Sequence, residues 1–231
     1  MRRNSPIKGL IQYSLYSASG HILMFGLMML LIGIVFLIIG STPVFPVTAI
    51  AIFAPASLVS NAADDKSNWG RFQLTMPVKR KHIVLSRYVV YLIFLLMGIV
   101  LAVAVTAIGR LLHEMGMVEY GSVFWGPFAE FLAGLNPRAI APMLALAGIG
   151  TALIACSLYY PLAYSVFKGK EEGLSLVVLL FSLALSGFIG WLGFRLDLSL
   201  NGVIALSVVV PAILFVISCL VSVKIYEKND V

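Results

Sequence analysis

The chain has 231 residues, 61% of them hydrophobic and only 11% charged, with a formal net charge of +6 and a mean hydropathy of +1.02. Soluble domains carry about a quarter charged residues, so a water-soluble globular fold is excluded and an all-α integral membrane protein is expected. The 2 cysteines, Cys156 and Cys219, fall inside apolar windows and form no C-x-x-C pair, which gives neither a disulfide framework nor a thiolate metal site.

Residues 5–20 mix Ile7, Leu10, Ile11 and Leu15 with Lys8, Gln12 and several serines. The apolar positions share one helical face, and Tyr13 and Tyr16 suit headgroup depth, so this segment reads as an interfacial helix, with a frayed tail as the alternative. Six apolar windows follow, at 22–40, 44–60, 88–109, 140–164, 174–194 and 202–223. A hydrocarbon core about 30 Å thick takes roughly 20 residues of helix, and only the second window, which holds Pro46 and Pro55, is marginal.

The first window is preceded by Arg2, Arg3 and Lys8, but it exceeds the roughly 7 to 15 residues of a signal-peptide core and no A-x-A-like cleavage site follows it. It is read as an uncleaved span. Gly26, Gly33 and Gly40 recur on it every seventh residue, a spacing that lets another helix come close, most simply one of the same chain. The short link Ser41 to Pro46 makes the first two windows a tight antiparallel pair.

The loop 61–87 is the most polar part of the chain and holds Lys66, Arg71, Lys79, Arg80, Lys81 and Arg87. Ser67 can cap a helix whose anchors, Trp69, Phe72 and Met76, share one side and which Pro77 stops. Pro77 also suits the first turn of the next element, Val78 to Arg87, which leads into the third span. One reading is a basic loop held at the inner leaflet by cations and an aromatic anchor. The other is a docking helix, because Trp and Arg are enriched at interface hot spots and Asp64 and Asp65 complement its N-terminal dipole.

Between the third and fourth windows lies a long segment, 110–138. Its Phe124, Trp125, Phe128 and Phe131 repeat at helical spacing opposite Glu130, which suits an interfacial or re-entrant helix. His113, Glu114 and Glu119 have poor ligand spacing, so a solvated loop is preferred over a metal site. Short turns at 168–172 and 195–197 join the remaining spans.

Thirteen of the 16 Lys and Arg residues fall on one side of this topology, leaving Arg110, Arg138 and Arg195 on the other. Short basic loops stay in the cytoplasm, so both termini and the 61–87 loop are expected there. No nucleotide-binding loop, H-E-x-x-H or G-x-S-x-G motif is present, which argues against catalysis. None of the six windows contains Asp, Glu, Lys, Arg or His, the groups by which ion-coupled transporters carry their coupling ion. If the chain transports anything, the energy comes from another molecule.

Trp69, then Leu74-Thr75-Met76-Pro77-Val78, Arg80, Ile83-Val84 and Ser86-Arg87-Tyr88 resemble the loop between the second and third spans of small bacterial ABC exporter permeases of the type-two exporter superfamily. The likeness is nearest to permeases of the phenol-soluble modulin transporter group. It covers the whole topology, with specific residues over about twenty positions around the loop signature. It implies a single permease domain, 1–231, in the bacterial plasma membrane, working beside a second copy or paralogue. A separate cytosolic ATPase would carry ATP and Mg, with no cofactor or nucleic acid bound by this chain.

The resemblance further implies a coupling helix that docks on that ATPase, formed here by Asp64, Asp65, Trp69, Arg71, Phe72, Met76, Pro77, Lys79 and Arg80. In one respect the chain departs from the superfamily: the long external segment lies between the third and fourth spans rather than the last two. Uncharged candidates for a substrate path are Thr106, Thr151, Ser157, Tyr159, Tyr160, Tyr164, Ser182 and Ser186, with Pro161 able to kink the fourth span. Such a path suits amphipathic cargo, namely short cytolytic or antimicrobial peptides or lipophilic drugs or lipids. The alternative role is a membrane scaffold that recruits a cytosolic partner by the same loop.

Overall fold

The computed structural model describes residues 6–39, 45–59, 78–117, 137–165, 171–195, 202 and 205–228. Among them every regular element is helical: α1 (Pro6–Ser17), α2 (Ser19–Ile39), α3 (Phe45–Phe53), α4 (Arg80–Glu114), α5 (Pro137–Ser165), α6 (Glu171–Arg195), a π-helical turn (Ala205–Val209) and α7 (Val210–Lys228). Four segments are long and apolar enough to cross a membrane: Ser19–Ile38, Arg80–Glu114, Met143–Ser165 and Ala205–Lys228. The apolar helices Phe45–Val59 and Gly173–Ile189 are shorter. Each of the six apolar windows thus forms helix, and four meet the length of a span.

The chain organises around α5, of whose apolar window 61% is buried, against 11% for α2. Helices α3, α6 and α7 pack on α5, α3 and α7 also touch α4, and α1 lies against α4. The core where these elements meet is built from Phe45, Ile50, Leu58, Val84, Tyr91 and Leu95 with Ala152, Cys156 and Tyr160. A second cluster, Met29, Phe53, Val90 and Phe94 with Ala18, joins α2 and the end of α1 to the α3–α4 pair. Helix α2 and the outer faces of α4, α6 and α7 present Leu, Ile, Val and Met outward, as helices in hydrocarbon must.

Several boundaries differ from the sequence expectation. Helix α4 runs 35 residues without a break, about 52 Å at 1.5 Å per residue. It takes in both the stretch expected to lead into the third span and the first five residues of the segment expected as an external loop. Lys79, extended at φ −65 and ψ 135, precedes its first turn. Its end is set by Gly116, whose φ of +70 only glycine adopts freely. The Gly116 and Met117 amides there donate to the His113 and Leu112 carbonyls at 2.9 and 3.0 Å. The helix of the fifth window begins earlier than expected, at Glu171.

The second window breaks at Ala54–Pro55, where proline has no amide to continue the ladder. Past the break the chain tightens into a turn, where the Ser57 amide and hydroxyl both donate to the Ala54 carbonyl, at 3.2 and 3.0 Å. The 15 residues from Phe45 to Val59 rise about 22 Å, so this window stays short of a full crossing and is mostly buried.

Glycine makes room for close packing on α2 and α5. A Cβ on Gly148 would lie 3.1 Å from Val47 Cα, and one on Gly33 3.2 Å from Val105 Cγ2. Gly33 therefore packs within the chain as its spacing suggested, whereas Gly26 faces open space and Gly40 lies outside the described residues. The tightest approach is at Gly150, where a Cβ would fall on the Ser207 carbonyl oxygen of the π turn. Ser207 is the residue four before Pro211, so its carbonyl has lost its ordinary helical donor, and the π turn swings it against the one residue with no side chain.

Gly150→Ala is expected to force α5 and α7 apart and lower stability by about 1–3 kcal/mol, a cost typical of overpacking. Gly26→Ala should be neutral or slightly stabilising, by up to about 1 kcal/mol from helix propensity. Thermal unfolding of both variants in the same detergent compares the two, and equal melting temperatures would refute the close approach.

Candidate functional site

Of the residues expected to dock a motor, Asp64, Asp65, Trp69, Arg71, Phe72, Met76 and Pro77 lie outside the described residues, as do Phe124 to Phe131 of the external segment. Lys79 and Arg80 are described and open α4. The Arg80 guanidinium donates from Nη1 to the Glu227 carbonyl at 3.3 Å, in the last turn of α7. A cation at a helix C-terminus meets carbonyls that have no helical donor and the negative end of the dipole. The entry of α4 is thereby tied to the exit of α7, on one side of the bundle.

Two turns further along α4, a denser junction forms. Tyr88 Oη lies 2.8 Å from Ser218 Oγ and 2.9 Å from Ser222 Oγ, residues one turn apart on α7. Ser218 donates in turn to the Ser157 carbonyl of α5 at 2.8 Å. A serine has one hydroxyl proton, so once Ser218 spends it on Ser157, Tyr88 must donate to Ser218 and accept from Ser222. The chain of donors runs from Ser222 through Tyr88 and Ser218 to the Ser157 carbonyl. It ends there because Pro161, four residues on, supplies no amide to that carbonyl.

Aromatic rings close around this chain. Tyr88 stands 4.6 Å from Tyr160 and 5.3 Å, edge-on, from Phe215. Tyr160 meets Tyr159 at 5.4 Å and Tyr164 at 6.0 Å, and Tyr164 meets Tyr226 of α7 at 5.1 Å. The Tyr160 hydroxyl donates to the Arg87 carbonyl at 3.2 Å. The Arg87 guanidinium, on a residue only 8% exposed, lies 5.7 Å from the Tyr164 ring centre, within cation–π reach. One turn above, Tyr91 donates to the Ala152 carbonyl. Helices α4, α5 and α7 are thus joined by directional bonds at the end of α4 nearest the 61–87 loop.

The residues expected along a substrate path separate into two groups. Tyr159, Tyr160 and Tyr164 come together in this junction. Thr106, Ser157 and Ser182 bond the carbonyls of Ala102, Leu153 and Leu179 in their own helices at 2.7, 2.7 and 2.8 Å. Thr151 donates to the Ala147 carbonyl at 2.8 Å, and its Oγ1 lies 2.7 Å from Ser186 Oγ of α6, which can donate to it. These serine and threonine hydroxyls satisfy helix carbonyls, as hydroxyls in hydrocarbon do. Sequence reasoning missed the partners Ser218, Ser222, Phe215 and Tyr226, although serines four apart in an apolar run were a readable sign of an inward polar stripe. Among the described residues no group of three or more metal-ligating side chains occurs.

Ser218→Ala strips the proline-freed carbonyl of its donor and should cost about 1 kcal/mol, in the range of interhelical hydrogen bonds in membranes. In a Pro161→Ala background the restored amide serves Ser157, so the same change should cost less than half as much. A double-mutant cycle by unfolding in detergent reads the difference, and strict additivity would contradict this assignment.

The family model described as ABC-2 family transporter protein matches residues 9–227, nearly the full chain. No curated protein and no solved structure matches it. The match includes α4, α5 and α7 and the junction that binds them, and with four long apolar helices it makes this a multi-pass membrane protein: the chain belongs to the ABC-2 transporter family.

Proposed function

We propose that this chain is the permease subunit of an ATP-binding cassette exporter, one permease domain of six membrane helices whose power stroke comes from a separate ATPase. The family match over residues 9–227 carries this reading. The segment from Asp64 to Arg80 serves as coupling helix, with Trp69, Phe72 and Met76 as anchors and Arg71, Lys79 and Arg80 as polar contacts. ATP and Mg bind the partner, whose closure displaces this helix. The Tyr88 junction then carries the displacement from α4 into α5 and α7, because directional bonds between helices transmit a shift that loose apolar packing would absorb.

Two permeases, identical or paralogous, enclose the path in a bacterial plasma membrane, with both termini in the cytoplasm. The cargo is amphipathic, in keeping with an uncharged bundle, and short cytolytic or antimicrobial peptides like those of the phenol-soluble modulin exporters fit it best.

Affinity capture of the full chain from its native membrane should recover a P-loop ATPase, and reconstitution of the pair should raise ATP hydrolysis in lipid. Trp69→Ala with Phe72→Ala should reduce capture at least tenfold, as the loss of two hot-spot anchors does, without changing insertion. Capture at wild-type strength would remove the docking helix from that segment. Tyr88→Phe should leave capture intact and lower transport per ATP hydrolysed, which separates docking from transmission.

A further inference from the structure

A cleft of about 640 Å³ lies along the Glu114 half of α4, walled by α3 and α5, and the reading above does not use it. Its floor is apolar and enclosed: Ile50 is fully buried and Ala102 is 2% exposed. Its flank is open, since Val103 and Leu111 line it at 63% and 58% exposure. The hydroxyl in its wall, Thr106, spends its proton on the Ala102 carbonyl at 2.7 Å, so the wall donates nothing to an occupant. Charge appears only at the mouth, as Arg110 and Glu114, one helical turn apart and both exposed.

We infer that this cleft seats one phospholipid with a phosphoethanolamine head, drawn from the leaflet that the Glu114 end of α4 meets. An acyl chain fills the apolar trough, the Arg110 guanidinium takes the phosphate, and the Glu114 carboxylate takes the ammonium. On a helix such a pair is separated by about 6 Å at Cβ, which suits the short spacer between phosphate and amine in that head. Arg before Glu is the weaker order for the two to pair with each other, so both remain available to a zwitterion. The volume fits ligand clefts of about 300–1,000 Å³, and the open flank continues the lipid-facing side of α4, where lipid is the most abundant apolar molecule. A chain anchored there would brace α3 against α4 at the end opposite the Tyr88 junction.

The test uses the full chain in nanodiscs doped with phosphatidylethanolamine carrying a photoreactive acyl chain, with phosphatidylglycerol bearing the same chain as comparison. Labelling should map to peptides spanning residues 99–107 and exceed that with phosphatidylglycerol severalfold. Arg110→Ala should lower it about tenfold, the scale of one charge-assisted hydrogen bond. Val103→Trp, which fills the open flank without touching the floor, should lower it at unchanged thermal stability. Equal labelling by the two lipids, or labelling indifferent to both substitutions, would overturn the assignment. These readouts need no ATPase and no cargo, so they stand apart from the exporter reading, and a peptide that displaces the lipid probe in competition would replace lipid with cargo as the occupant.

Discussion

Hydrocarbon supplies no hydrogen-bond partner, so each backbone carbonyl that proline deprives of its amide must be answered from within the protein. At Pro161 the constraint is met from a neighbouring helix: the Ser157 carbonyl, four residues before that proline, receives the Ser218 hydroxyl of α7. Near Pro211 the chain takes a π turn instead, and the Ser207 carbonyl, four residues before that proline, lies against Gly150 of α5. Both features join α5 to the α7 segment, and they do much to fix how those helices sit together.

The Tyr88 junction follows from the bond that Ser218 makes to the Ser157 carbonyl. Once Ser218 is committed to Ser157, the sense of every donor behind it is determined, and a tyrosine on α4 is drawn into the same line. Polar bonds between membrane helices are individually modest, about 0.6 kcal/mol on average, but they are directional and set register where dispersion sets only distance. A transporter needs helices that move relative to lipid while keeping register with one another. Tying α4 to α7 at Arg80 and again at Tyr88, with aromatic rings packed around the second tie, provides that combination.

Much of this architecture was legible in the sequence because a membrane span is written in runs of apolar residues. All six windows became helix, and Pro137 and Gly116 mark a beginning and an end where proline and glycine usually do. The Pro55 break was foreshadowed by the weakness of its window. Less legible was anything that depends on a neighbour. The extension of α4 through Arg110 to Glu114 is hard to read because only Leu111 and Leu112 of its five residues are apolar. The role of Ser207 appears only when Gly150 is seen against it. The candidate path residues were chosen for their hydroxyls, and sequence cannot show whether a hydroxyl is spent on its own helix; here Thr106, Ser157 and Ser182 bond their own helix carbonyls, although Thr106 also lines the cleft along α4. Tyr159, Tyr160 and Tyr164 lie close together in the sequence, but their partners on α4 and α7 are more than fifty residues away.

The unbroken length of α4 turns a small push into a large excursion. With the helix held near Tyr88, the 26 residues to Glu114 form an arm of about 39 Å. A tilt of about five degrees at the fulcrum then sweeps the far tip through roughly 3 Å, the width of a methylene chain, on simple lever geometry. A stiff rod pivoted close to one end needs no second hinge to open or shut a gap at the other.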